Sequence, residues 1–205
     1  MKTLVLAAAL LSLAPLYDGQ SAPSEQGTWT ASLQDQWVRE NGERWISVQI
    51  QQDNDRRYGT SMPLAELQGL GARGDRWSSN GDIEFNLRRD AGNVSFRGRF
   101  DNGRGAGTYV FTPDPEYMSA MSRLGFEGLD RSDLLKLALH DVSRTFASSI
   151  QAQGYRTDID DLLRMRIHGV DADYVTAFRQ AGYKDLTIRD LLKTRIHGAT
   201  PATRI

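Results

Sequence analysis

The sequence predicts an α+β fold: an N-terminal antiparallel β meander, closed as a small sandwich or open barrel, followed by C-terminal tandem α-hairpin repeats. Three observations predict it. Apolar and polar residues alternate with period two from Thr28 to Thr112, as they do in half-buried antiparallel strands. Beyond Thr112 the period becomes helical, and landmark residues recur. All three histidines of the chain, His140, His168 and His197, fall on one landmark, 28 and then 29 residues apart.

The strands can be placed in order. "WTASL" sets Trp29, Ala31 and Leu33 against Thr30 and Ser32. "RWISVQI" sets Ile46, Val48 and Ile50 against Trp45, Ser47 and Gln49. "DIEFNLRR" and "NVSFRGRF" do the same with Ile83, Phe85, Leu87 and with Val94, Phe96, Phe100, and "GTYVF" follows. "ENGE", "DAGN" and "DNGRG" carry the turn residues of hairpins. "TSMPLAELQGL" reads as one short helix, with Ser61 or Met62 before Pro63 and Gly69 after it. Five to seven strands result.

Each helical unit is anchored by the same landmarks. Tyr117, Phe146 and Tyr174 each precede by eight residues a glycine followed by an aromatic: Gly125-Phe126, Gly154-Tyr155 and Gly182-Tyr183. Asp114, Ser143 and Asp171 are N-cap types for a first helix, which that glycine ends. Asp130, Asp158 and Thr187 cap a second helix, each with an aspartate three positions on, and that helix ends at the histidine. Gly169 and Gly198 stop the second helices of two units. Asp141 stands in that place in the first, which must therefore end its helix differently. Thr200-Pro201 begins a truncated fourth unit. The domains are thus a signal peptide at 1–22, a β domain at 23–112 and a repeat domain at 113–205.

The signal peptide is read from a charged start at Lys2, an apolar run Thr3–Leu16 and a polar, small-residue segment up to Ala22. It implies an exported, periplasmic or secreted protein. The apolar run is shorter than the ~20 residues of a membrane span. The chain has no cysteine, so disulfides contribute nothing. With 25 Lys and Arg against 26 Asp and Glu, and neither half basic, the clustered positive surface that nucleic acid requires is missing.

Chemistry-bearing motifs are sparse. Neither His-Glu-x-x-His nor Gly-x-Ser-x-Gly occurs. Corresponding side chains of stacked helical units lie at least ~8–10 Å apart, whereas a metal needs ligand nitrogens at ~2 Å. The histidines are therefore read as a ladder of helix ends rather than a metal or catalytic cluster, and no cofactor is expected. Asp158, Asp160 and Asp161 are read as helix-start residues. "GRGAGT" precedes a strand, so it is a hairpin with small residues on one face rather than a phosphate cradle. Arg97, Arg99 and Arg104 near that hairpin are candidates to grip an anionic group. His140, in the unit that breaks the rule, is the histidine singled out for binding. Trp29, Trp37, Trp45 and Trp77 are read as core or edge residues before ligand-pocket ones.

The pattern of "DPEYM", "DADYV", the Gly-aromatic pairs and "DLLRMRIHGV" resembles that of uncharacterised exported bacterial proteins with helical repeats of about this length. It is also similar to the periplasmic tails of penicillin-receptor-like (antirepressor) membrane metallopeptidases. The likeness covers Pro113–Ile205, and the preceding "FRGRFDNGRGAGTYVFTP" is similar to what leads into such repeats. The peptidase module and its zinc motif are missing, so the resemblance implies an envelope location and a sensing or protein-contact role without proteolysis. The expected function is a non-enzymatic interaction or sensing module with an unknown envelope protein as partner. The alternatives are a small-molecule or lipid-binding β domain with a helical lid, and a hydrolase with a non-local Ser/His/Asp set.

Overall fold

The structure is a computed structural model and describes residues 25–33, 43–52, 56–70 and 81–201. The segment read as a signal peptide, Trp37, Trp77 and residues 202–205 lie outside the described residues. Seven strands form one antiparallel sheet: β1 (Glu25–Leu33), β2 (Trp45–Gln52), β3 (Arg56–Pro63), β4 (Leu67–Gln68), β5 (Gly81–Arg89), β6 (Gly92–Asp101) and β7 (Arg104–Pro113). Six helices follow: α1 (Pro115–Arg123), α2 (Arg131–Leu139), α3 (Arg144–Ala152), α4 (Ile159–His168), α5 (Ala172–Gln180) and α6 (Ile188–Ile196). The fold is α+β with the strands first. None of the described helices is long and apolar enough to cross a membrane.

The strand order is β3-β2-β1-β7-β6-β5-β4, so the predicted single meander is two meanders joined where β1 pairs with β7. This order dictates the curvature. β3 and β4 are opposite edges, yet only Leu64–Glu66 separates them in the chain. Six strand spacings of ~4.8 Å would put the edges of a flat sheet ~29 Å apart. Four residue steps reach at most about 14 Å. The sheet must curl, and it forms a half-barrel rather than a sandwich. The short helix expected between Ser61 or Met62 and Gly69 is cut to three residues, Leu64–Glu66, by the same constraint. Pro63 ends β3, a single 3-10 turn crosses the seam, and Leu67 is already in β4. Leu64 and Leu67 are both buried at that corner.

The inner face of the sheet is filled. Trp29 is 1 % exposed, and its ring packs edge-on against Phe85 at 5.2 Å and Phe96 at 5.9 Å. Trp29 stands opposite Gly107, which in turn stands opposite Gly98. The indole Nε1 donates to Arg97 O at 3.1 Å, two strands away. A Cβ at Gly107 would lie 1.9 Å from Arg97 O, and one at Gly98 2.1 Å from Ala106 O. Small residues in "GRGAGT" therefore let two strand backbones close up beside the tryptophan.

Helix α2 explains the concavity. It lies against β5, β6 and β7, and Ser132, Leu134, Leu135, Leu137, Ala138 and Leu139 are all buried. A helix buried on nearly every side needs cover all round, and the curled sheet supplies one side of it. Ser132 Oγ is 2.7 Å from the hydroxyl of Tyr58 on β3. One continuous apolar cluster runs from Trp29 through α2 to Leu191. A second tie links the two regions: Asp90, in the turn between β5 and β6, accepts from the Arg144 backbone N at 2.7 Å and from Nη2 at 2.6 Å. These bonds, led by those from the Arg144 side chain, hold the Asp90 carboxyl below the usual carboxylate range.

Every N-cap read from the sequence accepts at least one backbone hydrogen bond at the start of its helix. Odd helices neighbour odd ones, α1 with α3 and α3 with α5, and α4 neighbours α6. Asp141 corrects one expectation. It does not end α2 by a different route: its φ is +54°, in the same left-handed region as Gly169 at +69° and Gly198 at +68°. Aspartate tolerates this region better than most residues, and its carboxylate pairs with Arg166. Asp141→Ala is expected to lower stability by ~1–2 kcal/mol, the cost of left-handed backbone for an ordinary L-residue. Asp141→Gly should cost less than Asp141→Ala because glycine adopts that backbone freely. Urea unfolding of the two variants gives the comparison.

Candidate functional site

A groove of about 580 Å³ lies where the sheet seam meets the helix ends. It is lined by Trp45, Ser47 and Gln49 of β2 and by residues 59–63 of β3. Ile46, Val48 and Ile50 turn into the core, so their alternates face out. These form three cross-strand rows: Trp45 opposite Pro63, Ser47 opposite Ser61, and Gln49 opposite Gly59. Trp45 Nε1 donates to Glu43 Oε2 at 3.2 Å. The wall comprises Leu139, His140 and Asp141 at the end of α2, with Arg166 and Ile167 of α4.

Glu66 and Arg89 close one end. They belong to an alternating chain of charges. Glu66 pairs with Arg89, whose Nε lies 3.6 Å from Asp141 Oδ1. Asp141 pairs on its other side with Arg166, whose Nε also donates to Asp141 O at 2.9 Å. The Arg166 guanidinium sits 5.5 Å from the centre of the Phe146 ring. Two carboxylates and two guanidiniums leave the groove formally neutral while fixing its wall.

The three histidines have unlike surroundings. His140 is half-buried at the groove, whereas His168 and His197 are exposed. Burial pushes the His140 imidazole below its ordinary 6.5. Below that value the unfolded chain binds more protons than the folded one, so stability rises with pH through this window and is fully present above it. The wild type is therefore expected to gain more stability than His140→Gln as the pH rises from about 5 to about 7, read from urea midpoints. His168→Gln and His197→Gln serve as comparisons.

The remaining landmarks lie at helix joints. Tyr117 is buried, and its hydroxyl donates to Val142 O at 2.8 Å. The Tyr174 hydroxyl donates to Thr194 Oγ1 at 3.1 Å, and the Arg195 guanidinium lies 5.1 Å from its ring centre. Phe146 packs beneath Arg166. Gly125, Gly154 and Gly182 follow the ends of α1, α3 and α5, and Gly169 and Gly198 those of α4 and α6. The arginines proposed for anions sit outside the groove. Arg97 and Arg99 are exposed on β6 and pair across the strands with Glu84 at 3.1 Å and Asp82 at 3.6 Å. Arg104, at the start of β7, is opposite Asp101. Asp158 caps Asp161 N at 2.7 Å, and Asp161 receives Arg164 at 2.7 Å. Among the described residues, no three His, Cys, Asp or Glu side chains gather where they could hold a metal ion.

Sequence reasoning missed the groove apart from His140. Its one legible signal was the outward phase of "RWISVQI", which places Trp45 opposite the core residues. No family model, no curated protein and no solved structure matches this chain.

Proposed function

We propose that this chain is an exported, non-enzymatic binding protein of the bacterial cell envelope, and that its helices are three tandem α-hairpin units, with a fourth begun at Thr200-Pro201, that contact a partner protein. Two kinds of joint support the tandem reading. Gln151 donates to Leu124 O at 2.8 Å, and Arg179, 28 residues on, donates to Gln153 O at 2.7 Å. Arg166 donates to Asp141 O, and Arg195 to His168 O at 3.1 Å. Export is supported by the N-terminal sequence. The filled half-barrel favours surface recognition over a lipid or small molecule held inside it.

One observation carries the interaction reading. Leu139, Ile167 and Ile196 each precede a landmark histidine. Leu139 is 3 % exposed, whereas Ile167 is 53 % and Ile196 57 % exposed. The same apolar position is thus covered in the first unit and open in the next two, as a partner-facing row would be. The test is capture from periplasmic extract on the immobilised mature chain, beside an Ile167→Asp/Ile196→Asp variant of equal far-UV circular dichroism. Proteins enriched by the wild type and lost with the variant support the reading. Recovery of the same proteins by both would overturn it.

A further inference from the structure

We infer that the recess at the start of α6 docks an acidic segment of the partner protein, its carboxylates set among Arg179, Lys184, Arg189 and Lys193 and its apolar side chains over Ile196. The inference rests on the partner-binding role proposed for the helices and names the chemistry of what they bind.

The recess has a volume of about 890 Å³. It is lined by Tyr155, by Arg179 of α5 and by the chain from Lys184 through the first turns of α6. Its four cations face two carboxylates, Asp185 and Asp190. Asp190 is already engaged: its Oδ2 accepts from Thr187 N at 3.1 Å and from Thr187 Oγ1 at 2.6 Å. Arg179 donates only to a neutral partner, Gln153. Among the described residues, Lys184, Arg189 and Lys193 make no ion pair. A concave surface with surplus cations concentrates anions.

The helical units serve as their own comparison. Lys136, Arg164 and Lys193 occupy one landmark position, 28 and then 29 residues apart. In the first two units an aspartate on the same helix neutralises the cation: Lys136 pairs with Asp133 and Arg164 with Asp161, both at 2.7 Å. In the third, Asp190 turns to Thr187 and leaves Lys193 open. Arg189 stands where the earlier units have Ser132 and Asp160, and Arg179 where the second has Gln151. Only the third unit gathers cations at all these positions. Like charges four places apart on a helix repel, so helix stability does not account for the pair Arg189 and Lys193.

What adjoins the recess selects the ligand class. Arg189, Lys193 and Ile196 lie at i, i+4 and i+7 of α6, on one stripe, and all are exposed. An occupant that covers this stripe offers anionic groups and, beside them, an apolar group, as an acidic amphipathic peptide does. Inorganic phosphate covers no isoleucine. A lipid surface would, but Ile167 and Ile196 alone are too narrow an apolar face for a helix to lie in a membrane interface.

The test titrates the ¹⁵N-labelled mature chain with a short peptide of Glu, Ala and Leu, with the same peptide carrying Gln for Glu, with inorganic phosphate and with phosphatidylglycerol vesicles. The acidic peptide is expected to shift the amides of Lys184, Arg189, Lys193 and Ile196, and to bind more weakly as salt is raised. Arg189→Gln/Lys193→Gln should weaken it by about tenfold. Arg189→Lys/Lys193→Arg should retain binding, which separates loss of charge from misfolding. Arg97→Gln/Arg99→Gln, which removes equal charge from the sheet, should bind as the wild type does. The inference is overturned if the acidic peptide shifts none of these amides at millimolar concentration, if the Gln peptide binds equally well, or if the sheet variant loses as much as the recess variant. Tighter binding of phosphate or of the vesicles to the recess overturns it too. The partner captured by the wild type gives a separate readout. Its loss with Ile167→Asp/Ile196→Asp but full retention with Arg189→Gln/Lys193→Gln would leave the helical row standing and overturn this inference alone, whereas retention by both variants overturns both.

Discussion

Replacing Trp29 with alanine is expected to cost about 3–5 kcal/mol of folding stability, in the range found for large aromatic truncations in cores. The indole is nearly fully buried and touches Phe85, Phe96 and Phe100 at ring distances of 5.2, 5.9 and 5.7 Å. It also carries the hydrogen bond to Arg97 O that spans the Gly98–Gly107 row. Those glycines cannot be filled to compensate, because any Cβ there meets a strand backbone. The cavity therefore stays open, and a loss much under 2 kcal/mol in urea unfolding would mean the indole is not a centre of the core.

The second large effect is at Leu135. Leu135→Ala is expected to cost about 2–5 kcal/mol, and the loss should be felt in the sheet as much as in the helices. Leu135 is fully buried in α2, which lies against β5–β7, within one apolar cluster that continues into the later helices. Unfolding followed by near-UV signal from the aromatic sheet core and by far-UV helical signal should give coincident curves, in the wild type and shifted together in the variant. Two separated transitions would show that the sheet and α2 do not share a core.

How much of this was legible in the sequence follows from how local each signal is. Ile46, Val48 and Ile50, or Phe85 and Leu87, alternate within one strand, and the caps Asp114, Asp130, Ser143, Asp158, Asp171 and Thr187 act within one turn of their helices. Such features need no distant partner. β3 was harder to read. In "RRYGTSMP" the inward residues are Tyr58, Thr60 and Met62, a weak apolar stripe, and Pro63 with Gly69 imitates a helix boundary. The strand is held by its pairing with β2, and its end is set by the jump across the seam. Asp141 was misread because a left-handed residue was equated with glycine, whereas the stabilising arginines come from β5 and α4.

The groove was least legible because it is assembled from six stretches of chain. Residues 45–49, 59–63, 66, 89 and 139–141 meet Arg166 and Ile167 only after the sheet has curled and α2 has docked. His140 was singled out for breaking the glycine rule. Its distinction in the structure is different: the sheet edge half-buries it, while His168 and His197 remain in solvent.

The most direct measurement of the central claim, that this chain acts by recognising a partner through its helical face, is the affinity of the captured partner for the purified mature chain and for Ile167→Asp/Ile196→Asp. The two exposed apolar side chains are expected to contribute enough that the variant binds at least about tenfold more weakly, a difference of ~1.4 kcal/mol, with unfolding midpoints unchanged. Equal affinity for the two proteins would contradict the account.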